Sequence, residues 1–147
     1  MITIDQVKEL RDETSVSVQE CKKALQEANG DKTKAKEILM KWGKDLASKK
    51  STRGTTQGII ASYIHANGKV GVLLDLACET DFVAKSDDFK NLAHELCLQV
   101  AAINNETDLL AQAWIKDPTK TIKNLIEDYV LKIGENIVVN RFTRYEI

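Results

Sequence analysis

Proline is nearly absent from this chain: Pro118 is the only one in 147 residues, which leaves most of the backbone free to be helical. Aromatic residues are scarce too, at 5%. Neither sign of charge is in excess, because 21 Lys and Arg face 22 Asp and Glu, a formal net charge of -1. The molecule as a whole therefore gives no electrostatic reason to expect nucleic acid. The seven glycines never cluster and no Gly-x-x-x-x-Gly-Lys-Ser/Thr run occurs, so there is no phosphate-binding loop to hold a nucleotide. No apolar run approaches the roughly 20 residues that a membrane span needs. The start, Met1-Ile2-Thr3-Ile4-Asp5, leads straight into a helix, without the basic and then apolar stretch of a targeting segment. A soluble, cytoplasmic protein is expected, with no membrane contact.

Catalytic constellations are missing as well. His65 and His94 stand alone, with no serine or cysteine and carboxylate set around them. Asp87-Asp88 falls at a helix start, where acidic side chains satisfy the helix dipole. Cys21, Cys78 and Cys97 are odd in number and lack metal-ligand spacing. Cys21 and Cys97 lie on apolar stripes, where a thiol packs as a small hydrophobe, and a reducing compartment fits. The expectation is a protein that is not an enzyme, with no catalytic residue, no cofactor and no metal site.

What is present is enough apolar residue, 43%, to build a core. Three helices are predicted at the front. Thr3-Ile4-Asp5-Gln6 has capping-box form, and the first helix runs to about Glu13. Ser17-Val18-Gln19-Glu20 is a second such box, opening a helix with Val18, Cys21, Ala24, Leu25 and Ala28 on one face. Asn29-Gly30 stops it, and Asp31 caps a third helix striped by Ala35, Ile38, Leu39, Trp42 and Leu46. Three apolar faces in under fifty residues predict a three-helix bundle over residues 1–47. Residues 48–57 have no apolar side chain beyond Ala47 at their border and read as a linker.

From residue 58 the character changes to strand. Two β-branched segments, 59–65 and 70–74, flank Asn67-Gly68, the favoured pair for a two-residue turn with positive φ. The second strand is apolar on both faces, so each side needs a cover or a partner. Ser86 is placed to cap a helix striped by Phe89, Leu92, Ala93, Leu96, Cys97, Val100 and Ala101. Residues 103–116 carry no clear pattern. Asp117-Pro118 has the form of N-cap and first helical position. The stripe of Ile122, Leu125, Ile126, Tyr129, Val130 and Ile133 follows, and Gly134 stops it. Residues 137–145 form a strand able to join the hairpin. The fold class is thus α+β: the helical bundle, then a domain over 58–147 with a three-stranded antiparallel sheet and two helices.

Two features stand outside this framework. Lys41, Lys44, Lys49, Lys50 and Arg53 against Asp45 make a basic joint, followed by an acidic middle of Asp75, Glu79, Asp81, Asp87 and Asp88. Solvated faces explain this, and so does a partner of mixed charge. The segment Cys78-Glu79-Thr80-Asp81-Phe82-Val83-Ala84-Lys85 lies between a strand and a helix cap, yet carries Phe82 and Val83 where a polar loop is expected. A core plug and an aromatic wedge presented to a partner are both open on the residues alone.

At these residues the chain resembles the elongation factor Ts family. Glu79-Thr80-Asp81-Phe82-Val83-Ala84 matches its Thr-Asp-Phe-Val-Ala signature in full. A second motif is present at Leu10-Arg11, Thr14, Cys21-Lys22-Lys23-Ala24-Leu25 and Glu27-Ala28-Asn29-Gly30-Asp31. A third is Lys132-Ile133-Gly134-Glu135-Asn136-Ile137 with Arg141-Phe142. The resemblance implies a UBA-like N-terminal bundle that sits on the GTPase domain of elongation factor Tu. It implies that Thr80, Asp81, Phe82 and Val83 form a wedge that dislodges Mg²⁺ there and releases GDP. Arg11, Val18, Gln19 and Lys22 would face the same partner, with Ile133 and Gly134 as a further contact. It also implies a homodimer, as in the short members with one core unit, and no direct contact with nucleotide; the two apolar faces of residues 70–77 place that pairing at the sheet. Against the family's Thr-Gly-Ala-Gly-Met-Met, this chain has Thr14-Ser15-Val16-Ser17-Val18-Gln19, which alters that contact surface. A binding module that recruits ubiquitin-like or nucleic-acid partners through the basic joint is the competing possibility.

Overall fold

The computed structural model describes residues 1–104 and 108–147. Three helices open the chain: α1 (Ile4–Thr14), α2 (Val18–Glu27) and α3 (Lys32–Lys50). Each starts where a side chain can satisfy an orphan amide. Thr3 accepts from the Gln6 amide while the Gln6 side chain reaches back, a complete capping box. Ser17 accepts from the Glu20 amide and Asp31 from the Lys34 amide. The expected box at Ser17 is therefore only half made: Ser17 caps, but no return bond from Glu20 accompanies it. Leu10, Val16, Cys21, Ala24, Leu25, Ala28, Ala35 and Leu39 close into one core, with Trp42 and Ile38 at its margin.

The turn into α2 has a conformational cost. Ser15 caps α1 with φ of 56°, the left-handed region that disfavours a side chain bearing Cβ. Its side chain is exposed, so glycine would lose no burial there. Ser15→Gly is expected to stabilise the protein by about 1 kcal/mol, the strain relieved outweighing the extra freedom of the unfolded chain. A thermal midpoint raised by about 3 °C would register it.

The second half holds a three-stranded antiparallel sheet of β1 (Gln57–Ile64), β2 (Val70–Cys78) and β5 (Val138–Glu146), with β2 in the middle. The hairpin between β1 and β2 is present, but its turn differs from the two-residue form. Only Gly68 takes positive φ, at 70°, and the Asn67 carboxamide instead accepts from the Lys69 amide at 2.9 Å. The pair His65–Val70 closes a longer loop through the His65 amide and the Val70 carbonyl, 2.9 Å apart. Val72, Leu74 and Leu76 point to one side, where α5 (Asp87–Ala102) covers them and α6 (Ile122–Ile133) joins the same core. The opposite side is open: Ile60, Ile64, Leu73 and Tyr145 stand exposed on it. The register aligns Ile64, Gly71 and Tyr145 in one row and Ile60, Asp75 and Arg141 in another.

Between α5 and α6 the chain forms a single 3₁₀ turn (Leu109–Ala111) and a small ladder, β3 (Ala113–Trp114) with β4 (Asp117–Thr121). This corrects the expected helix start at Asp117-Pro118. Thr121 is the N-cap of α6, in a complete capping box with Asn124. The Asp117 carboxylate accepts instead from the Thr119 hydroxyl at 2.6 Å and the Thr119 amide at 3.1 Å, bonds that hold it below the ordinary carboxylate range. The ladder is tied to α5 by Gln99, fully buried, which donates to the Ala113 carbonyl and accepts from the Ile115 amide.

The two halves meet where α3 lies along α6. Gly43 makes the approach possible: a Cβ there would lie 3.0 Å from the Glu127 carbonyl oxygen. Leu131 of α6 reaches the bundle core, and Leu46 and Ala47 of α3 reach the sheet core. Among the described residues, no helix is long and apolar enough to cross a membrane.

Candidate functional site

Cys78 ends β2, and the chain turns at Glu79-Thr80 into α4, a single helical turn over Asp81–Ala84. Thr80 caps it, its hydroxyl accepting from the Val83 amide at 3.3 Å. The turn is amphipathic in the smallest possible sense. Val83 and Ala84 are buried in the sheet core, so they anchor the turn. Phe82 points the other way and is 86% exposed. A large aromatic presented to solvent on an anchored turn is free to meet another surface. The core-plug alternative is thereby excluded, since the plug is Val83. Asp81 beside it is also exposed and pairs with Lys85 at 2.7 Å, which raises the Lys85 pKa. An exposed pair like this is worth little to stability.

The turn is held from outside by residues far along the chain. The Glu135 carboxylate accepts from the Glu79 amide at 3.1 Å, the Thr80 amide at 3.0 Å and the Thr80 hydroxyl at 2.7 Å. Glu79 returns the interaction, accepting from the Asn136 amide at 2.7 Å. Gly134 makes this possible by ending α6 with φ of 85°, which swings residues 135 and 136 back toward β2. The end of α3 joins the same place. Arg53 lies 3.5 Å from the Glu79 carboxylate, the Arg53 carbonyl accepts from the Asn136 side chain at 2.9 Å, and Lys50 donates to the Gly134 carbonyl.

The structure thus brings together two of the three groups of expected contact residues. Thr80, Asp81, Phe82 and Val83 sit beside Ile133 and Gly134, linked through Glu135. The third group, Arg11, Val18, Gln19 and Lys22, lies exposed on α1 and α2, over the other core. Val18 departs from its expected place on the apolar stripe: it is 51% exposed and stands outside the bundle core. Glu135 and Glu79 were not singled out by sequence reasoning. They are separated by more than fifty residues, and no periodicity signals that the Glu135 carboxylate takes the Glu79 amide while the Glu79 carboxylate takes that of Asn136.

Nucleophilic chemistry has little to work with. All three thiols are buried; burial pushes Cys97 up to about 11 and raises Cys21 and Cys78 as well, so thiolate is scarce at neutral pH. Tyr63 donates to or accepts from His65 at 2.9 Å, and its ring meets His94 edge-on, which leaves both histidines as surface partners of a tyrosine. Among the described residues, no group of three or more His, Cys, Asp or Glu is placed to hold a metal.

Comparison with known proteins adds an independent line. A family model described as Elongation factor TS matches residues 79–147, and a UBA-like domain model matches residues 14–42. The protein named Elongation factor Ts of Thermotoga sp. (strain RQ2) is 41% identical over 191 residues, covering 99% of this chain and 96% of that protein. Its namesake in Thermoanaerobacter sp. (strain X514) is 38% identical over 193 residues, covering 99% and 95%. That of Carboxydothermus hydrogenoformans is 37% identical, covering 100% and 89%. With 193 aligned positions against 147 residues, at least 46 positions of the Thermoanaerobacter alignment face a gap in this chain.

Proposed function

This chain belongs to the elongation factor Ts family, and on that premise we propose that it binds elongation factor Tu and drives the release of its GDP. The observation that carries the proposal is the exposure of Phe82, beside Asp81, on a turn anchored by Val83 and Ala84. Phe82 inserts as an apolar wedge into the GTPase domain, and Asp81 supplies the charge or hydrogen bond that reorients the displaced element. The movement dislodges the partner's Mg²⁺, which bridges phosphate to protein, and so removes a large local attraction for GDP. The protein itself touches neither nucleotide nor metal and performs no chemical step. Arg11, Val18, Gln19 and Lys22 hold the bundle on the same domain, and Ile133 and Gly134 add a contact beside the wedge. In this division of labour residues 1–47 dock, residues 48–57 join, and residues 58–147 carry the wedge.

We further propose that two copies pair through the open face of the sheet. Ile60, Ile64, Leu73 and Tyr145 give that face an apolar surface that a second copy would cover, in an isologous contact. The competing reading, nucleic acid on the basic joint, is less well supported, because Lys50 and Arg53 are already engaged with Gly134 and Glu79.

Linkage supplies the test. A partner that prefers the nucleotide-free state must be weakened by GDP to the degree that it weakens GDP. Sedimentation of mixtures with elongation factor Tu is expected to show a complex of two copies of each protein, which excess GDP dissolves. A complex indifferent to GDP would sink the exchange proposal. A one-to-one mass would sink the homodimer and leave exchange standing.

A further inference from the structure

We propose that Glu135 is a positioning residue that fixes the direction of the Asp81-Phe82 wedge; the inference rests on the exchange function above. A helix of four residues cannot hold itself, because one turn is below the length at which helix formation becomes favourable. The α4 turn must be held by its surroundings. Val83 and Ala84 secure its underside, and Glu135 is the distant side chain that accepts from the backbone amides of its entry.

The chemistry of that contact is specific to a carboxylate. One oxygen of Glu135 takes the amides of Glu79 and Thr80, and the other takes the Thr80 hydroxyl proton. A hydroxyl has one proton to give, so donating to Glu135 turns its lone pairs toward the Val83 amide, which it caps. Glu135, Thr80 and Val83 are therefore a chain in which the carboxylate sets the rotor that sets the helix. The reciprocal bond from the Asn136 amide to Glu79 closes a ring between the two loops. Through this ring Phe82 keeps a fixed orientation relative to Gly134, the other expected contact. Ordering the turn before the partner arrives removes an entropy cost from binding.

Glutamine at 135 keeps an acceptor for the two amides but turns an NH₂ donor toward the Thr80 hydroxyl, whose proton then loses its acceptor and no longer fixes the rotor. Glu135→Ala removes all three acceptor bonds. In the full chain, Glu135→Ala is expected to lower the maximal rate of GDP release from elongation factor Tu about tenfold, on the scale of losing a hydrogen bond to a charged group. Glu135→Gln should fall between Glu135→Ala and the parent. Amide hydrogen exchange of the unbound variants should quicken at Thr80 and Val83 while Leu92 and Leu96 in α5 keep their protection.

Parental GDP release by Glu135→Ala, with release lost in Asp81→Ala/Phe82→Ala, would overturn the positioning role and leave the wedge intact. Parental release by both would overturn the wedge and, with it, this inference. Loss of protection throughout α5 in both Glu135 variants would make the role one of general stability and overturn it too.

Discussion

Replacing Asp81 and Phe82 together by alanine is expected to lower the acceleration of GDP release by about thirtyfold or more, the scale of an interface hot spot. Stability should barely change. Phe82 is 86% exposed, so its removal costs the free protein almost no buried surface. Asp81 loses only an exposed pair with Lys85, and surface changes of this kind usually stay within about 0.5 kcal/mol. Release of fluorescent GDP, measured beside a thermal melt of the same preparation, reads both effects. A normal melt with lost release would separate a contact residue from a structural one. Unchanged release would refute the wedge.

Phe89, seven residues later, should behave in the opposite way. It is fully buried at the start of α5 and belongs to the sheet core that also holds Val72, Leu74, Leu76 and Ile122. Phe89→Ala leaves a cavity and is expected to cost about 3–5 kcal/mol, a large share of the roughly 5–15 kcal/mol that holds a domain together. The thermal midpoint should fall by about 10 °C. At low temperature, GDP release per folded molecule should remain near that of the parent, because the α4 turn keeps its own anchors. Urea unfolding gives the stability, and the folded fraction normalises the rate. A midpoint within a degree or two of the parent would show that the core tolerates the loss far better than its packing implies.

The contrast between these phenylalanines shows what a sequence can reveal. Phe89 was legible because it opens a stripe of apolar residues at helical spacing behind a capping serine, and Ser86 does cap α5. Phe82 has no such stripe. A single helical turn is too short for periodicity, so an inward and an outward Phe82 could not be told apart, and it is Val83 that takes the inward position. The bundle was readable for the same reason as α5, from caps at Thr3, Ser17 and Asp31 and from spaced apolar residues. The strain at the joint of α1 and α2 was visible only as a departure from the family, serine at position 15, and the φ of 56° supplies the physical meaning.

Other elements escaped notice because nothing local encodes them. The β3–β4 ladder has two short strands held to α5 by the buried side chain of Gln99, a long-range polar contact with no sequence period. Asp117-Pro118 looked like a helix start because both residues suit one, but Thr121 with Asn124 makes the complete box and begins α6 there. The hydrogen bonds from the Glu79 amide to Glu135 and from the Asn136 amide to Glu79 are the extreme case. They join two distant segments of the second half in space, and each glutamate in isolation reads as an ordinary surface charge.

Sequence order and function meet at this junction. The end of α3, the end of β2 and the end of α6 converge on Glu79, Glu135 and Asn136, so the helical bundle, the wedge and the last helix share one polar hub. This hub fixes the α4 turn relative to the bundle, as the proposed insertion at a defined place requires.

The most direct measurement is the rate at which elongation factor Tu loses fluorescent GDP as this protein is added to saturation. A rate that climbs with concentration and levels off far above the spontaneous value is the expected result. A rate that stays at the spontaneous value, with folded protein that still binds the partner, would contradict exchange activity.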